Sequence, residues 1–186
     1  MTDVVGQEDP STTATEFNML AFVFDLLLAR INTVKLVKVI SCTNDGGLSP
    51  VGTVTVRPLV NQLTGEGQGL PHDNLYLVPY LRIQGGANAV ILDPEPGDIG
   101  ACGFCDRDIS LVKATKDYAN PGSPSMMAAA DGLYFGGFLN GVPSQYVAFS
   151  AAGLALVSPT KISLSAPVVD IEATTSVTVN SPANSI

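Results

Sequence analysis

Positive charge is scarce in this sequence. Of 186 residues, 9 are Lys or Arg against 17 Asp or Glu, which leaves a net charge of −8. Phosphate contacts need clustered Lys and Arg, and no such cluster occurs, so nucleic acid is not an expected partner. Tryptophan is absent, histidine occurs once, and cysteine occurs three times, at Cys42, Cys102 and Cys105. Three thiols are too few and too odd for a disulfide framework. Long apolar runs are missing as well. The longest, Met19 to Ala29, contains Asp25 and has about half the length that crosses a bilayer. The first residues are acidic where a secretory leader is basic, so no signal peptide is expected, and the chain reads as soluble and made in a cytoplasm.

Apolar residues make up 46% of the chain and charged residues only 14%, a balance that points to folded structure and not to disorder. The length fits one compact domain with appendages. Charge is uneven along it. Residues 1–30 carry Asp3, Glu8, Asp9, Glu16 and Asp25 against Arg30, whereas from Leu154 onward only Lys161, Asp170 and Glu172 are charged.

That last segment also lacks glycine and aromatic residues, and it holds the most regular pattern in the chain. Apolar pairs recur at Leu154/Leu156, Ile162/Leu164, Val169/Ile171 and Val177/Val179, at offsets of eight, seven and eight. Alternate residues of a strand share a face, so each pair is a two-residue apolar stripe, with Ala155, Ser163, Asp170 and Thr178 in turn on the opposite face. A stripe that small does not offset the ordering entropy of its own strand. Short-period repeats bury such faces by stacking on neighbours, and four repeats are too few for a capped single-chain solenoid. Several chains wound around one axis would share an apolar interior. The bland alternative is a disordered Ser/Thr-rich tail, which has no need of regular apolar pairs.

Upstream, Met1 to Pro10 reads as a polar arm. A helix is expected from about Ser11: Thr13 and Glu16 have capping-box spacing, and Phe17, Leu20, Phe24, Leu27 and Leu28 recur at helical intervals. Phe22, Val23 and Leu26 widen its apolar surface, so it is expected to be buried, against its own domain or a partner. Residues 31–118 read as a small β-barrel. Strands are expected at Val34 to Val39, Val51 to Val60 with Pro58 closing, Leu75 to Ile83, Ala89 to Leu92 and Ile99 to Cys105. Turns lie at Asn44-Asp45-Gly46-Gly47 and Pro94-Glu95-Pro96-Gly97, and Gly65-Glu66-Gly67-Gln68-Gly69 is a loop. Asp106 or Asp108 is expected to cap a short helix over Ile109 to Lys116. Five short strands and one helix are the inventory of an OB-fold. Residues 119–153, with six glycines, read as a connector carrying apolar hairpin candidates at Leu133-Tyr134-Phe135 and Tyr146 to Phe149.

Chemistry is thin along this chain. Cys102-Gly-Phe-Cys105 has metal or redox spacing, but residues three apart on a strand face opposite sides, and no second pair exists. A site using Cys42 and His72 has no spacing signature, so the cysteines are expected to be buried and structural. Asp93, Glu95 and Asp98 bracket two prolines and read either as an acid–base set or as solvated turn acids. Asp106-Arg107-Asp108 reads as a local ion pair and helix cap. His72 reads as an exposed loop residue. The Gly65-x-Gly67-x-Gly69 run lacks the lysine and helix of a phosphate loop, and no Gly-x-Ser-x-Gly motif occurs.

Pro96-Gly97-Asp98-Ile99-Gly100, then Phe104-Cys105-Asp106-Arg107-Asp108-Ile109, and later Asp131-Gly132-Leu133-Tyr134-Phe135 resemble blocks of the central spike proteins of contractile-tailed phages, also called membrane-piercing or baseplate assembly proteins. The order of segments is similar over nearly the whole chain. The resemblance implies a mainly β chain with an N-terminal arm and helix (1–30), an OB-fold (31–118), a connector (119–153) and an intertwined trimeric β-helix (154–186). It implies a structural virion protein, not an enzyme: a homotrimer beneath the tail hub protein, pushed through the host outer envelope when the sheath contracts. The trimer core would be Leu154, Leu156, Ile162, Leu164, Val169, Ile171, Val177 and Val179. Several relatives end in a His-x-His pair that holds iron. No histidine follows His72 here, so no metal or cofactor is carried over. The tip would be closed by Ile186 or its neighbours, or by a separate tip protein. No lysozyme-like insertion is present.

Two other classes compete. One is an OB-fold module binding oligosaccharide or protein through Tyr76 and Tyr80. The other is a small hydrolase using Asp93, Glu95 or Asp98.

Overall fold

The computed structural model describes residues 15–64 and 66–180. The polar arm, Thr13 of the expected capping box, and residues 181–186, including Ile186 at the expected tip, lie outside the described residues. The chain divides into two units, one up to Asn140 and one from Gly141 onward.

The first unit opens with helix α1 (Glu16–Leu28). Its N-cap is Thr15, whose hydroxyl accepts from the Asn18 N–H at 3.1 Å, so the helix begins later than the Ser11 signal. No residue of α1 is buried. The strands that follow are β1 (Val34–Cys42), β2 (Thr53–Pro58), the two-residue β3 (Gln62–Leu63) and β4 (Gly69–Leu70), β5 (Leu75–Pro79), β6 (Ile83–Gly85), β7 (Asn88–Val90) and β8 (Ile99–Phe104). Helix α2 (Ser110–Thr115) and a short 3₁₀ turn (Ala129–Asp131) lead into β9 (Gly132–Gly136).

Five of these strands form one antiparallel sheet in the order β5-β2-β1-β8-β9. The alternation of β1 and β2 is what builds it. Val37, Val39, Val54 and Val56 all point inward and are fully buried, joined by Val78, Tyr80, Cys102 and Tyr134. Register shifts between Val39 and Ser41, and between Val54 and Val56, mark irregularities that curl the sheet into a half-barrel. Its outer strands meet at one point. Tyr80 and Tyr134 form a parallel bridge, and the Leu81 N–H donates to the Tyr134 carbonyl at 2.9 Å.

Several expected strands fall differently. Leu75 to Ile83 is not continuous, because Leu77 takes a left-handed φ of 54° and the strand ends at Pro79. Ala89 to Leu92 does not join the large sheet; Asn88–Val90 pairs with Ile83–Gly85 as a separate hairpin. The place in the sheet goes to Gly132–Gly136, which the sequence reading put in the connector. Glycine makes that pairing tight. A Cβ on Gly100 would run into the Tyr134 ring and the Phe135 carbonyl, and one on Gly132 would meet Cys102 Sγ.

The second unit contains one antiparallel hairpin, β10 (Tyr146–Ser150) and β11 (Gly153–Val157), turned at Ala151-Ala152 with Gly153 at φ 121°. Between Ser158 and Asn180, all of it described, there is neither helix nor strand.

Candidate assembly interface

Asp93 of the acidic turn ties separate segments of the fold together. Asp93 Oδ1 accepts from Tyr80 Oη at 2.6 Å and from Arg82 Nη2 at 2.5 Å, and Oδ2 accepts from the Gly46 N–H at 3.1 Å. Arg82 Nη1 also donates to the Ser49 carbonyl at 2.6 Å. The Arg82 and Asp93 side chains are each only 2% exposed, so reading Asp93 as a solvated acid is corrected. The reason is composition: a buried arginine and phenol need an acceptor, and Asp93 is the acid within reach. Burial pushes the Asp93 carboxyl up, but Tyr80, Arg82 and the Gly46 N–H outweigh it and hold it below the usual range. Asp98 turns elsewhere, accepting from the Glu95 N–H at 2.9 Å. The three carboxylates therefore do not converge.

The other chemical candidates dissolve in similar ways. Asp108 accepts from the Ser110 N–H at 2.8 Å and from Ser123 Oγ at 2.7 Å, and the Ser110 hydroxyl first, then these two donors, lower it to about 2. The N-cap of α2 is Ile109, with no side-chain cap, so neither Asp106 nor Asp108 caps it; Asp108 instead accepts the N–H of the first helical residue. Arg107 pairs with neither neighbour; among the described residues the ion pair is Arg82–Asp93. Asp131, buried at the entrance to β9, accepts from the Ile109 N–H at 3.0 Å and receives the Cys105 N–H on its carbonyl, also at 3.0 Å. The sequence blocks at 96–109 and 131–135 are thus bound to each other, through β8–β9 pairing and through Asp131. Cys102 is buried, and burial pushes its thiol up to about 11; Cys42 and Cys105 are half-buried. Among the described residues no His, Cys, Asp and Glu gather as a metal would require.

His72 is half-buried and not exposed. It borders an open cleft of about 440 Å³ with Lys35, Val34, Leu36, Pro58 and Val60. Burial first, then the Lys35 charge, lowers its pKa against the opposing pull of Asp73. Of the two tyrosines suited to a binding face, only Tyr76 is exposed. Tyr80 belongs to the core, which removes half of the aromatic platform that a binding module would use.

The remaining candidate is the apolar ladder. Residues directly opposite in an antiparallel pair share a face, so Val147 with Leu156 and Phe149 with Leu154 form one side of the β10–β11 hairpin. All four side chains are exposed, Phe149 at 84%. The following pairs, Ile162/Leu164, Val169/Ile171 and Val177/Val179, are exposed too, Leu164 at 73%. The single chain leaves the whole ladder open to solvent. The sequence reading placed Leu154 and Leu156 in this set and missed Val147 and Phe149. Their signal was available: an apolar alternation ending two residues before a turn and Gly153.

No known family model matches the chain, and no curated protein matches it.

Proposed function

We propose that this chain is the protomer of a homotrimeric central spike at the baseplate of a contractile tail, a structural virion protein that pierces the host cell envelope mechanically. Under this reading the half-barrel is an OB-fold closed where Tyr80 meets Tyr134, and it sits against the tail hub protein. The ladder winds with its two copies into a β-helical shaft. A separate tip protein, or residues near Ile186, ends it.

One observation carries the reading. A regular series of apolar pairs, beginning on a hairpin face of Val147, Phe149, Leu154 and Leu156, is left exposed by the described residues. Two-stranded hairpins are marginal alone, and an apolar face this continuous calls for a partner. Three identical copies around one axis supply it to every repeat at once. They also close the strand edges that a lone hairpin leaves open. The hydrogen bonds of Asp93, Asp108 and Asp131 within the fold are compatible with the same reading.

Negative-stain electron microscopy of the purified full-length chain tests this. A globular head continuing into one straight, tapering rod is the expected image. Compact particles with no rod would overturn the proposal.

A further inference from the structure

Helix α1 presents a second uncovered surface, independent of the ladder. Phe17, Leu20, Phe24 and Leu27 recur at intervals of three, four and three, with Leu28 beside them. At 100° per residue these five fall within about 120° of the helix circumference, and no charged residue lies in that arc. All five are exposed, Phe17 at 78% and Phe24 at 61%. On the opposite side, Phe22 and Leu26 are half-buried. Met19 and Val23, between the two sides, are exposed as well, so the stripe is the most open part of a helix with no buried residue.

We infer that the open stripe packs against the same stripe of two further copies of this chain, as a short parallel three-helix bundle at the N-terminal end of the assembly. Three arguments select that occupant. Intervals of three and four average 3.5 residues, the period at which identical parallel helices meet along one seam. The apolar arc is wider than a two-helix seam, because Ala21 and Leu28 flank it, and three helices cover a wider arc than two. Area is sufficient as well. Phe17 and Phe24 each bury roughly 150–250 Å² when covered. With three leucines that are more than half exposed, the stripe supplies more than half of the ~800 Å² that each side of a stable interface buries, and the ladder supplies the rest. A 13-residue helix is marginal without such packing.

The inference rests on the trimer proposed above, and its test separates the two. Leu20→Cys and Phe22→Cys are made in the full-length chain, beside the unmodified chain with its Cys42, Cys102 and Cys105. Each is oxidised with copper phenanthroline while solution mass is measured. Disulfide-linked dimers in Leu20→Cys, with little in Phe22→Cys or the unmodified chain, are expected. A trimeric mass with no excess crosslinking at Leu20→Cys would overturn the helix bundle and leave the spike reading standing. The stripe would then face a different protein. A monomeric mass for the unmodified chain would overturn the spike reading itself. Because a cysteine at this position can weaken the helix, Phe24→Glu supplies a second readout. It should lower the melting temperature of the trimer at equal chain concentration, and an unchanged value would count against the bundle.

Discussion

Tyr80 and Tyr134 meet where the outer strands of the sheet touch, yet their hydroxyls are in opposite circumstances. Tyr80 Oη donates to Asp93 at 2.6 Å, while Tyr134 Oη is buried without a hydrogen-bond partner among the described residues. Burial pushes the Tyr134 phenol up to about 12. Removing a hydroxyl that has a buried partner strands that partner, whereas removing one that has none relieves a desolvation cost. Tyr80→Phe should therefore cost about 1–3 kcal/mol, and Tyr134→Phe should be neutral or stabilising by up to ~1 kcal/mol. Thermal unfolding of the two variants checks the contrast. Asp93→Ala, which leaves the Arg82 charge buried and unpaired, should lower the melting temperature about twice as much as Tyr80→Phe.

The close packing of β8 on β9 gives a second expectation. Gly100→Ala forces a methyl group into the Tyr134 ring and the Phe135 backbone, and Gly132→Ala forces one against Cys102 Sγ. Each should cost about 1–3 kcal/mol by overpacking. Gly85→Ala, where nothing lies within 4 Å of the new Cβ, should have little effect in the same chemical denaturation series.

Acid stability follows from two carboxyls. Asp108 lies at about 2 through Ser110 and Ser123, against an ordinary 3.8, and Asp93 is also depressed. A depressed carboxyl contributes stability that is present above its unfolded value and is lost as pH falls through its folded value. Their contribution should hold constant from neutral pH down to about 5, then fall below about 4. Asp108→Asn should flatten part of that decline and leave the neutral-pH slope unchanged. Melting temperatures measured across the acid range read this directly.

Thiol reactivity should follow burial. Cys102, raised to about 11, should resist iodoacetamide at pH 8 until the fold is denatured, while half-buried Cys42 and Cys105 react first. Peptide mass spectrometry after a timed pulse assigns the order.

Some of this was legible in the sequence. The alternation of Val54 and Val56, closed by Pro58, gave β2 with little ambiguity, and the glycine-rich turns separated most of the rest. Tyr80 was misplaced because an unbroken strand puts Tyr76, Val78 and Tyr80 on one face. The left-handed Leu77 breaks that alternation between Tyr76 and Val78, and nothing in a leucine announces a positive φ. Strand β9 was hidden by distance. Its glycines looked like connector residues, and only the pairing with β8 shows them as places where side chains would not fit. Asp93 read as a turn acid because its partners come from Tyr80, Arg82 and the Gly46 backbone, which the fold alone brings together. The ladder was the opposite case: its period was plain in the sequence, but the structure puts only Leu154 and Leu156 on a strand, leaves Ile162/Leu164, Val169/Ile171 and Val177/Val179 outside any strand, and adds the upstream pair Val147 and Phe149.

Mass in solution tests the central claim most directly. By light scattering, the full-length 19.3 kDa chain should give three times that value, about 58 kDa, across a range of concentrations. Leu164→Asp, which places a charge in the shared interior, should lower that mass or make it depend on concentration. A stable monomer for the unmodified chain, or a Leu164→Asp variant with an unchanged trimer and unchanged stability, would contradict the account.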